Sequence, residues 1–370
     1  MTSDQHLRLV HAADHATRRG IDAMLVSPGP DLRYLTGYDA KPLERLTCLV
    51  LQGGKTPFMV VPALERPAAE ASGVAELGIE IVTWQETEDP YAVIADRIGS
   101  HTPTLAYDNH MWAEKVLAFA DAMPGAQQVL AGTVLGALRM RKSATEIDLL
   151  REAGDAIDRV HARMGEWLRP GRTERAVADD IAAAIIDEGH VAVDFVIVGS
   201  GPNGASPHHD VSDRVIGDDE PVVVDIGGTT EAGYCSDSTR TYVTGTTAPS
   251  DFSDYYAVLL HAQQAQCEYV RPGVTAASVD KVGRDIIESA GYGEAFLHRT
   301  GHGIGIETHE EPYIVDGNEL VLEAGMAFSI EPGIYLAGRH GARIEDIVVC
   351  TDDGAQRLNQ RPRDIGYLGG

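Results

Sequence analysis

The stretch Arg169-Pro170-Gly171-Arg172-Thr173 returns further along the chain as Arg271-Pro272-Gly273-Val274-Thr275. The echo extends outward, since Val177, Ile185 and Gly189 recur at the same offset as Val279, Ile287 and Gly291. Each Pro-Gly pair stops a helix, and each Thr is a strong N-cap for the next one. Upstream of the first stop, Ile147, Leu150, Ile157, Val160, Met164 and Leu168 share one face of a helix predicted over 146–168. A matching helix is expected over 253–270, and strand-like runs follow both pairs, at 194–198, 221–226 and 239–244, then at 327–331 and 343–350. A unit of helix, stop, helix and strands is therefore used twice. Internal duplication is the better reading of this pattern than chance, and duplicated halves can build a site on their pseudo-twofold axis.

Ahead of the duplication the pattern is different. Leu7, Val10, Ala13 and Ala16 lie at helical spacing before Gly20. Strand-like runs follow at 23–26, 47–51, 58–61, 79–84 and 104–107. This first third reads as a smaller mixed α/β domain. The expected division is residues 1–132 and 133–370, within a 131–142 boundary region.

If two halves share a site, each should supply equivalent side chains from equivalent strands. The first half offers Asp225, in VVVDIGG, and Asp237, just before the next strand-like run. The second offers Glu331, in FSIEPG and closing a strand, and Glu345, inside another, in ARIEDIVV. Acids embedded in apolar strands are unusual unless paired or liganded. Four converging carboxylates repel and cannot all ionise, but two divalent cations neutralise them. The richest histidine segment, HRTGHGIGIETHEEP, carries His298, His302 and His309 among glycines that let backbone come close.

These stretches resemble the Xaa-Pro dipeptidases (prolidases) and aminopeptidase P enzymes of the pita-bread metallopeptidases. The resemblance rests on VVVDIGG at 222–228, GYCSDSTRTY at 233–242, HRTGHGIGIETHEEP at 298–312, SIEPGIY at 329–335 and GARIEDIVV at 341–349, with GIDAMLVSPGPDLRYLTGY at 20–38. It implies a creatinase-like N-terminal α/β domain followed by a pseudo-twofold pita-bread catalytic domain. It implies two divalent ions held by Asp225, Asp237, His302, Glu331 and Glu345, with Asp237 and Glu345 bridging. The single-His, oxygen-rich set suits Mn²⁺ or Co²⁺, with Zn²⁺ possible. Glu331 would also carry the catalytic proton. His208 and His309 would steady the tetrahedral intermediate. His298 and Arg343 would support the substrate pocket, and Thr239 would orient Asp237. The implied reaction is hydrolysis of the bond before proline in dipeptides or short peptides, by a cytoplasmic homodimer.

Two departures are visible. The interval from Asp225 to Asp237 is one position longer than in many relatives, which predicts a single-residue bulge near 228–233. Tyr313 stands where several prolidases place an Arg for the dipeptide's C-terminal carboxylate, which opens longer peptides as substrates.

Composition narrows the alternatives. Thirty basic against 56 acidic residues give a net charge of −26, which disfavours nucleic acid and anionic membrane as partners. Cys48, Cys235, Cys267 and Cys350 form no C-x-x-C pair, so reduced thiols are expected rather than a structural zinc site. The opening MTSDQHLRLVHAADHATRRG lacks the apolar core of a signal peptide, and no apolar run approaches the length of a membrane span. GSGPNG at 199–204 matches a dinucleotide fingerprint, but Pro207-His208-His209 follows where a helix should. DIGGTT at 225–230 resembles a kinase phosphate turn without the later kinase elements. Neither G-x-S-x-G nor H-E-x-x-H occurs. Methionine aminopeptidase, creatine-type amidinohydrolase and a non-catalytic binding module of the same fold are the remaining alternatives. The N-terminal domain disfavours the first, and the full set of ligand types disfavours the other two.

Overall fold

The computed structural model describes residues 2–99 and 103–369. Two compact units are present, Met1–Arg139 and Met140–Gly370.

The first unit has one mixed six-stranded sheet, ordered β4-β3-β2-β1-β5-β6. Its strands are β1 (Ala23–Val26), β2 (Cys48–Leu51), β3 (Phe58–Pro62), β4 (Glu80–Trp84), β5 (Thr104–Tyr107) and β6 (Gln127–Leu130). Helices α1 (Thr2–Arg18), α2 (Pro30–Thr36), α3 (Arg66–Ala71), α4 (Pro90–Ile98), α5 (Ala113–Ala122) and α6 (Gly132–Met140) connect and follow them. Leu25, Val50, Val60 and Leu105 of the sheet pack on Ile94 of α4 and Phe119 of α5.

The second unit carries the duplication. Helices α7 (Ala144–Ala162) and α8 (Glu174–Asp187) precede β7 (His190–Ser200), β8 (Pro221–Thr230) and β9 (Ser238–Val243). Helices α9 (Ser250–Tyr269) and α10 (Ala276–Ser289) precede β10 (Gly301–Gly303), β11 (Glu310–Ile314), β12 (Ala327–Ile330), β13 (Gly333–Leu336), β14 (His340–Arg343) and β15 (Asp346–Thr351), then β16 (Gly354–Arg357) and β17 (Gly366–Tyr367). The two Thr residues of the repeat act alike: Thr173 caps α8 and Thr275 caps α10, each accepting a backbone N–H at 3.2 Å. The expected long helix stops earlier, at Ala162, and a 3₁₀ turn over Met164–Glu166 follows. Gly165, a weak helix former, sits in that turn.

Strand alternation sorts the second unit into a core face and a site face. Val222, Val224 and Ile226 of β8 pack on Ile157, Val160, Ile181 and Ile185 of α7 and α8. Phe328 and Ile330 of β12 pack with Val279 of α10, and Ala342 and Ile344 pack with Leu259 of α9. The residues between them, Asp225, Ser329, Glu331, Arg343 and Glu345, therefore point to the opposite face.

Two expectations are corrected in detail. The strand predicted over 343–350 is broken, because β14 ends at Arg343 and β15 begins at Asp346. The facing strand breaks too, at Glu331 and Pro332, and proline has no N–H to give the ladder. The two acids turn their backbones elsewhere: the Glu331 N–H donates to Thr300 O at 2.8 Å and the Glu345 N–H to Thr239 O at 3.1 Å. The added position between Asp225 and Asp237 leaves no bulge within the β8–β9 ladder. Asp225 pairs with Thr239, Ile226 with Ser238 and Thr229 with Cys235, all in one register. The extra length sits in the hairpin tip at 230–234, where Gly233 takes φ 89°.

Among the described residues no helix is long and apolar enough to cross a membrane.

Candidate metal centre

The site lies where the two halves meet. The meeting is made by β9 and β14: the Thr241 hydroxyl donates to Arg343 O at 2.9 Å, and the Thr239 hydroxyl donates to a Glu345 carboxylate oxygen at 2.7 Å. Each half contributes a pair of acids to this seam. Asp225 on β8 and Asp237 just before β9 are diagonal neighbours on one hairpin face. On the other side Ile330 pairs with Asp346 and Gly333 with Arg343 in one common register, which sets Glu331 opposite Glu345.

His302 completes the cluster from β10, a short strand pressed between β11 and β12. Its flanking glycines are required there, because a Cβ on Gly301 would lie 1.9 Å from Ser329 O and one on Gly303 2.2 Å from Glu311 O. The His302 Nε2 stands 3.1 Å from Glu331 Oε1 and 3.6 Å from Asp237 Oδ2. The Ser329 hydroxyl donates to the same Glu331 oxygen at 2.9 Å.

Three sets of potential ligand atoms converge here, each within 4.8 Å of one another. They are Asp225, Asp237 and Glu345; His302, Glu331 and Glu345; and Asp237, His302 and His309. Asp225 Oδ1, Asp237 Oδ1 and Glu345 Oε1 are buried and have no hydrogen-bond partner among the described residues. A buried carboxylate oxygen without a donor is costly. Burial, then Glu345, Asp225 and Glu331, push Asp237 well above the usual carboxylate range. Burial, then Glu331 and Asp225, do the same to Glu345. The donor set thus fits divalent cations: orphaned oxygens facing inward and four clustered carboxylates with Arg343 the one cation bonded to any of them among the described residues.

Arg343 is the buried support of this arrangement. Its guanidinium donates from Nη2 to Asp225 Oδ2 at 2.6 Å, from Nε to the Thr239 hydroxyl at 3.0 Å, and from Nη1 to Tyr335 OH at 2.8 Å and Pro207 O at 3.2 Å. The last contact ties in the loop that carries His208, which is itself exposed. His298 Nε2 meets the same Tyr335 hydroxyl at 2.8 Å. His309 is exposed at the rim, with its ring 4.0 Å from that of His302. Although the residue as a whole is exposed, partial burial of its ring, then the charges of His302 and Arg299, lower it to about 4.

All five expected ligand residues thus come together, with His309 beside them and His298 and Arg343 one hydroxyl apart. Thr239 differs from expectation, since its hydroxyl engages Glu345 rather than Asp237. Tyr335 and Ser329 were not singled out from the sequence. Both lie within SIEPGIY, and strand parity with Glu331 would have placed them on the site face.

Residues 148–352 match the model of metallopeptidase family M24, and residues 8–141 match that of the creatinase/prolidase N-terminal domain. The chain is 53% identical over 358 residues to a probable dipeptidase PepE of Mycobacterium tuberculosis, covering 97% of this chain and 95% of that one. It is 39% identical to a Xaa-Pro dipeptidase of Lactobacillus helveticus, covering 94% and 95%. The crystal structure of dipeptidase PepE from Mycobacterium ulcerans superposes with a TM-score of 0.96 at 52% identity, covering 100% of this chain and 99% of the other.

Proposed function

The chain belongs to metallopeptidase family M24, with a creatinase/prolidase N-terminal domain ahead of a pita-bread catalytic domain, and from that membership we propose that it is a two-metal Xaa-Pro dipeptidase. The observation that carries the reading is the set of three buried carboxylate oxygens, without hydrogen-bond partners among the described residues, brought together from both halves. The similarity to a Xaa-Pro dipeptidase along nearly the whole chain supports the substrate class.

On this reading Asp225, Asp237, His302, Glu331 and Glu345 would hold two divalent ions, with Asp237 and Glu345 expected to serve both. Oxygen-rich, single-imidazole donors favour Mn²⁺ or Co²⁺, and Zn²⁺ is the alternative. Such ions, when bound, polarise a scissile carbonyl and make water a nucleophile at neutral pH. The chain's own groups do the rest. Glu331 accepts a proton at Oε1 and returns it to the leaving proline nitrogen, its carboxylate held for the task by Ser329 and His302. His208 and His309, both exposed and on loops, offer N–H donors to the oxygen that becomes negative during attack. Arg343 and Tyr335 keep Asp225, Glu345 and His298 in register without touching the reacting atoms.

Tyr313 supports a second reading, an aminopeptidase P activity on longer Xaa-Pro peptides. The test is an assay of metal-stripped protein reloaded with Mn²⁺, Co²⁺ or Zn²⁺ on Xaa-Pro and Xaa-Pro-Xaa. Metal-dependent cleavage of Xaa-Pro is the expected result. Cleavage of only the longer peptide selects the second reading, and cleavage of neither rejects both.

A further inference from the structure

His208 is placed by its neighbours. Among the described residues its own ring makes no hydrogen bond, yet its charge is felt at both His298 and His309. It stands in a segment that leaves β7 at Ser200, passes through a 3₁₀ turn at Gly201–Ala205 and runs on without helix or strand to Ser212. Such a segment keeps one course only where something outside it fixes the backbone.

Two anchors do so. On one side Arg343 donates to Pro207 O at 3.2 Å, and the turn sits so close to β14 that a Cβ on Gly341 would lie 2.1 Å from Gly204 O. On the other side is Glu174, fully buried at the start of α8. Four residues of the segment bond to its carboxylate. Ser200 gives Oε1 both its N–H and its hydroxyl, at 2.8 and 2.7 Å. Asn203 Nδ2 spans both oxygens, at 3.0 and 3.1 Å. Ser212 gives Oε2 its N–H at 3.2 Å and its hydroxyl at 2.6 Å, and His209 Nε2 lies 2.8 Å from the same oxygen. The carboxylate thus clasps both ends of the segment, and the residues flanking His208 are each tied, Pro207 to Arg343 and His209 to Glu174. Opening the clasp would leave a buried carboxylate without its donors, which is costly. Glu174 directly follows the Thr of the repeat, and the equivalent position after Thr275 is Ala276. The duplicated helix start therefore needs no acid there; the half with the His208 segment has one.

We propose that Glu174 is a positioning residue for the hydrolysis: it clasps the 200–212 segment and, through His209, holds the His208 imidazole where it meets the oxygen that becomes negative during attack. The proposal rests on the Xaa-Pro reading above and adds to it a residue that touches neither substrate nor metal. Misplacing a reacting or supporting group by about 1 Å costs up to about 10²-fold in rate, so a clasp remote from the chemistry acts on turnover.

The experiment measures kcat, KM and bound metal on Ala-Pro for Mn²⁺-loaded wild type, Glu174→Gln, His209→Phe, His209→Gln and His208→Ala. The first two substitutions are also combined, one at a time, with His208→Ala. Glu174→Gln and His209→Phe should each lower kcat by roughly 10- to 100-fold, with KM and metal content near wild type. His209→Gln keeps a donor towards Glu174 and should recover part of the loss. In His208→Ala protein the same two substitutions should change kcat by less than about twofold, because nothing is left to place. In metal-free protein, amide exchange over 200–212 should quicken in Glu174→Gln and His209→Phe while 222–243 stays protected. His209→Phe cuts one arm of the clasp and decides the matter if Glu174→Gln does not fold. Unchanged kcat in folded, metal-loaded variants overturns the proposal, as do losses that multiply with that of His208→Ala or that follow the loss of bound metal. Wild type that cleaves no Ala-Pro with any of the three metals instead rejects the Xaa-Pro reading, and unchanged exchange over 200–212 then overturns the clasp as well.

Discussion

Arg343 reaches Asp225 across 118 residues of sequence, its Nη2 2.6 Å from Oδ2, and leaves the other carboxylate oxygen buried and without a partner among the described residues. One oxygen is thus fixed by the protein and one is presented inward. This is how an outer hydrogen bond orients a ligand that binds through its remaining atom. Arg343→Met should weaken binding of the divalent ion by roughly 10–100-fold, with Arg343→Lys recovering part of it. Calorimetric titration of metal-stripped protein with Mn²⁺ measures this directly. Unchanged affinity in a folded Arg343→Met protein would remove the orienting role.

Glu331→Gln keeps the shape of the side chain and the contact with Ser329 but cannot hold a proton between nucleophile and leaving group. Turnover should fall by roughly 10²–10⁴-fold while the protein stays folded. Activity must be measured beside bound metal, by elemental analysis of the same sample. Near-native turnover at full occupancy would end the assignment of Glu331 as proton carrier.

Metal should stabilise the fold, since the site that binds it exists only in the folded chain. At a free concentration about a hundred times Kd the gain is about 2.7 kcal/mol. Thermal unfolding of chelator-treated protein should move to higher temperature on adding Mn²⁺. The shift should be largely lost in the double variant Asp237→Asn, Glu345→Gln. A wild-type Tm indifferent to Mn²⁺, Co²⁺ and Zn²⁺ would contradict the metal centre.

Glu174 lies away from that centre and governs a different response. Burial alone would raise it, but donors on Ser212, Ser200 and His209 outweigh burial and hold the carboxyl at about 2. A carboxylate depressed in the folded state contributes its full stabilisation above its ordinary value of 4.5. That contribution declines as pH falls from there towards about 2. A shift of this size corresponds to about 3 kcal/mol. Glu174→Gln should therefore be markedly less stable than wild type at pH 7, and the difference should shrink through the acid range. Urea unfolding at several pH values tests it; a difference independent of pH would show that the loss is one of packing.

The two Thr caps offer a test of the duplication as energetics. Thr173→Ala and Thr275→Ala each remove one side-chain acceptor from an equivalent helix start. Each should cost about 1 kcal/mol. Chemical denaturation of the two variants should give similar losses, and a severalfold disparity would mean that the repeated sequences do unequal jobs.

The acids, the histidine and the doubled unit were legible because they are properties of short stretches. An acid in an apolar strand, a Gly-flanked histidine and a stop followed by a Thr each announce themselves within a short window. What stayed hidden depends on partners far along the chain. The break at Glu331 and Glu345 arises because their backbone N–H groups go to Thr300 and Thr239, which no local window contains. The hydroxyl of Thr239 lies near Asp237 in sequence yet serves Glu345, 106 residues away. The stack of Arg299 on Tyr313 was equally out of reach, although both residues sit close to a motif that was not. In the first unit, α2 to α6 were missed because each is short, the longest being α5, too brief for a clear helical period. Asp89-Pro90, an N-cap with proline at the first turn, was the one available cue for α4.

The seam between β9 and β14 also says something about origins. Each half contributes one hairpin bearing two acids. A chain carrying just one of the two repeats could bring four such acids together by pairing with a second copy of itself about a twofold axis. Joining the copies end to end removes the need to find a partner at low concentration. It also frees the halves from identity, so that one could keep two aspartates while the other took the longer reach of two glutamates, and a histidine could enter from one side alone.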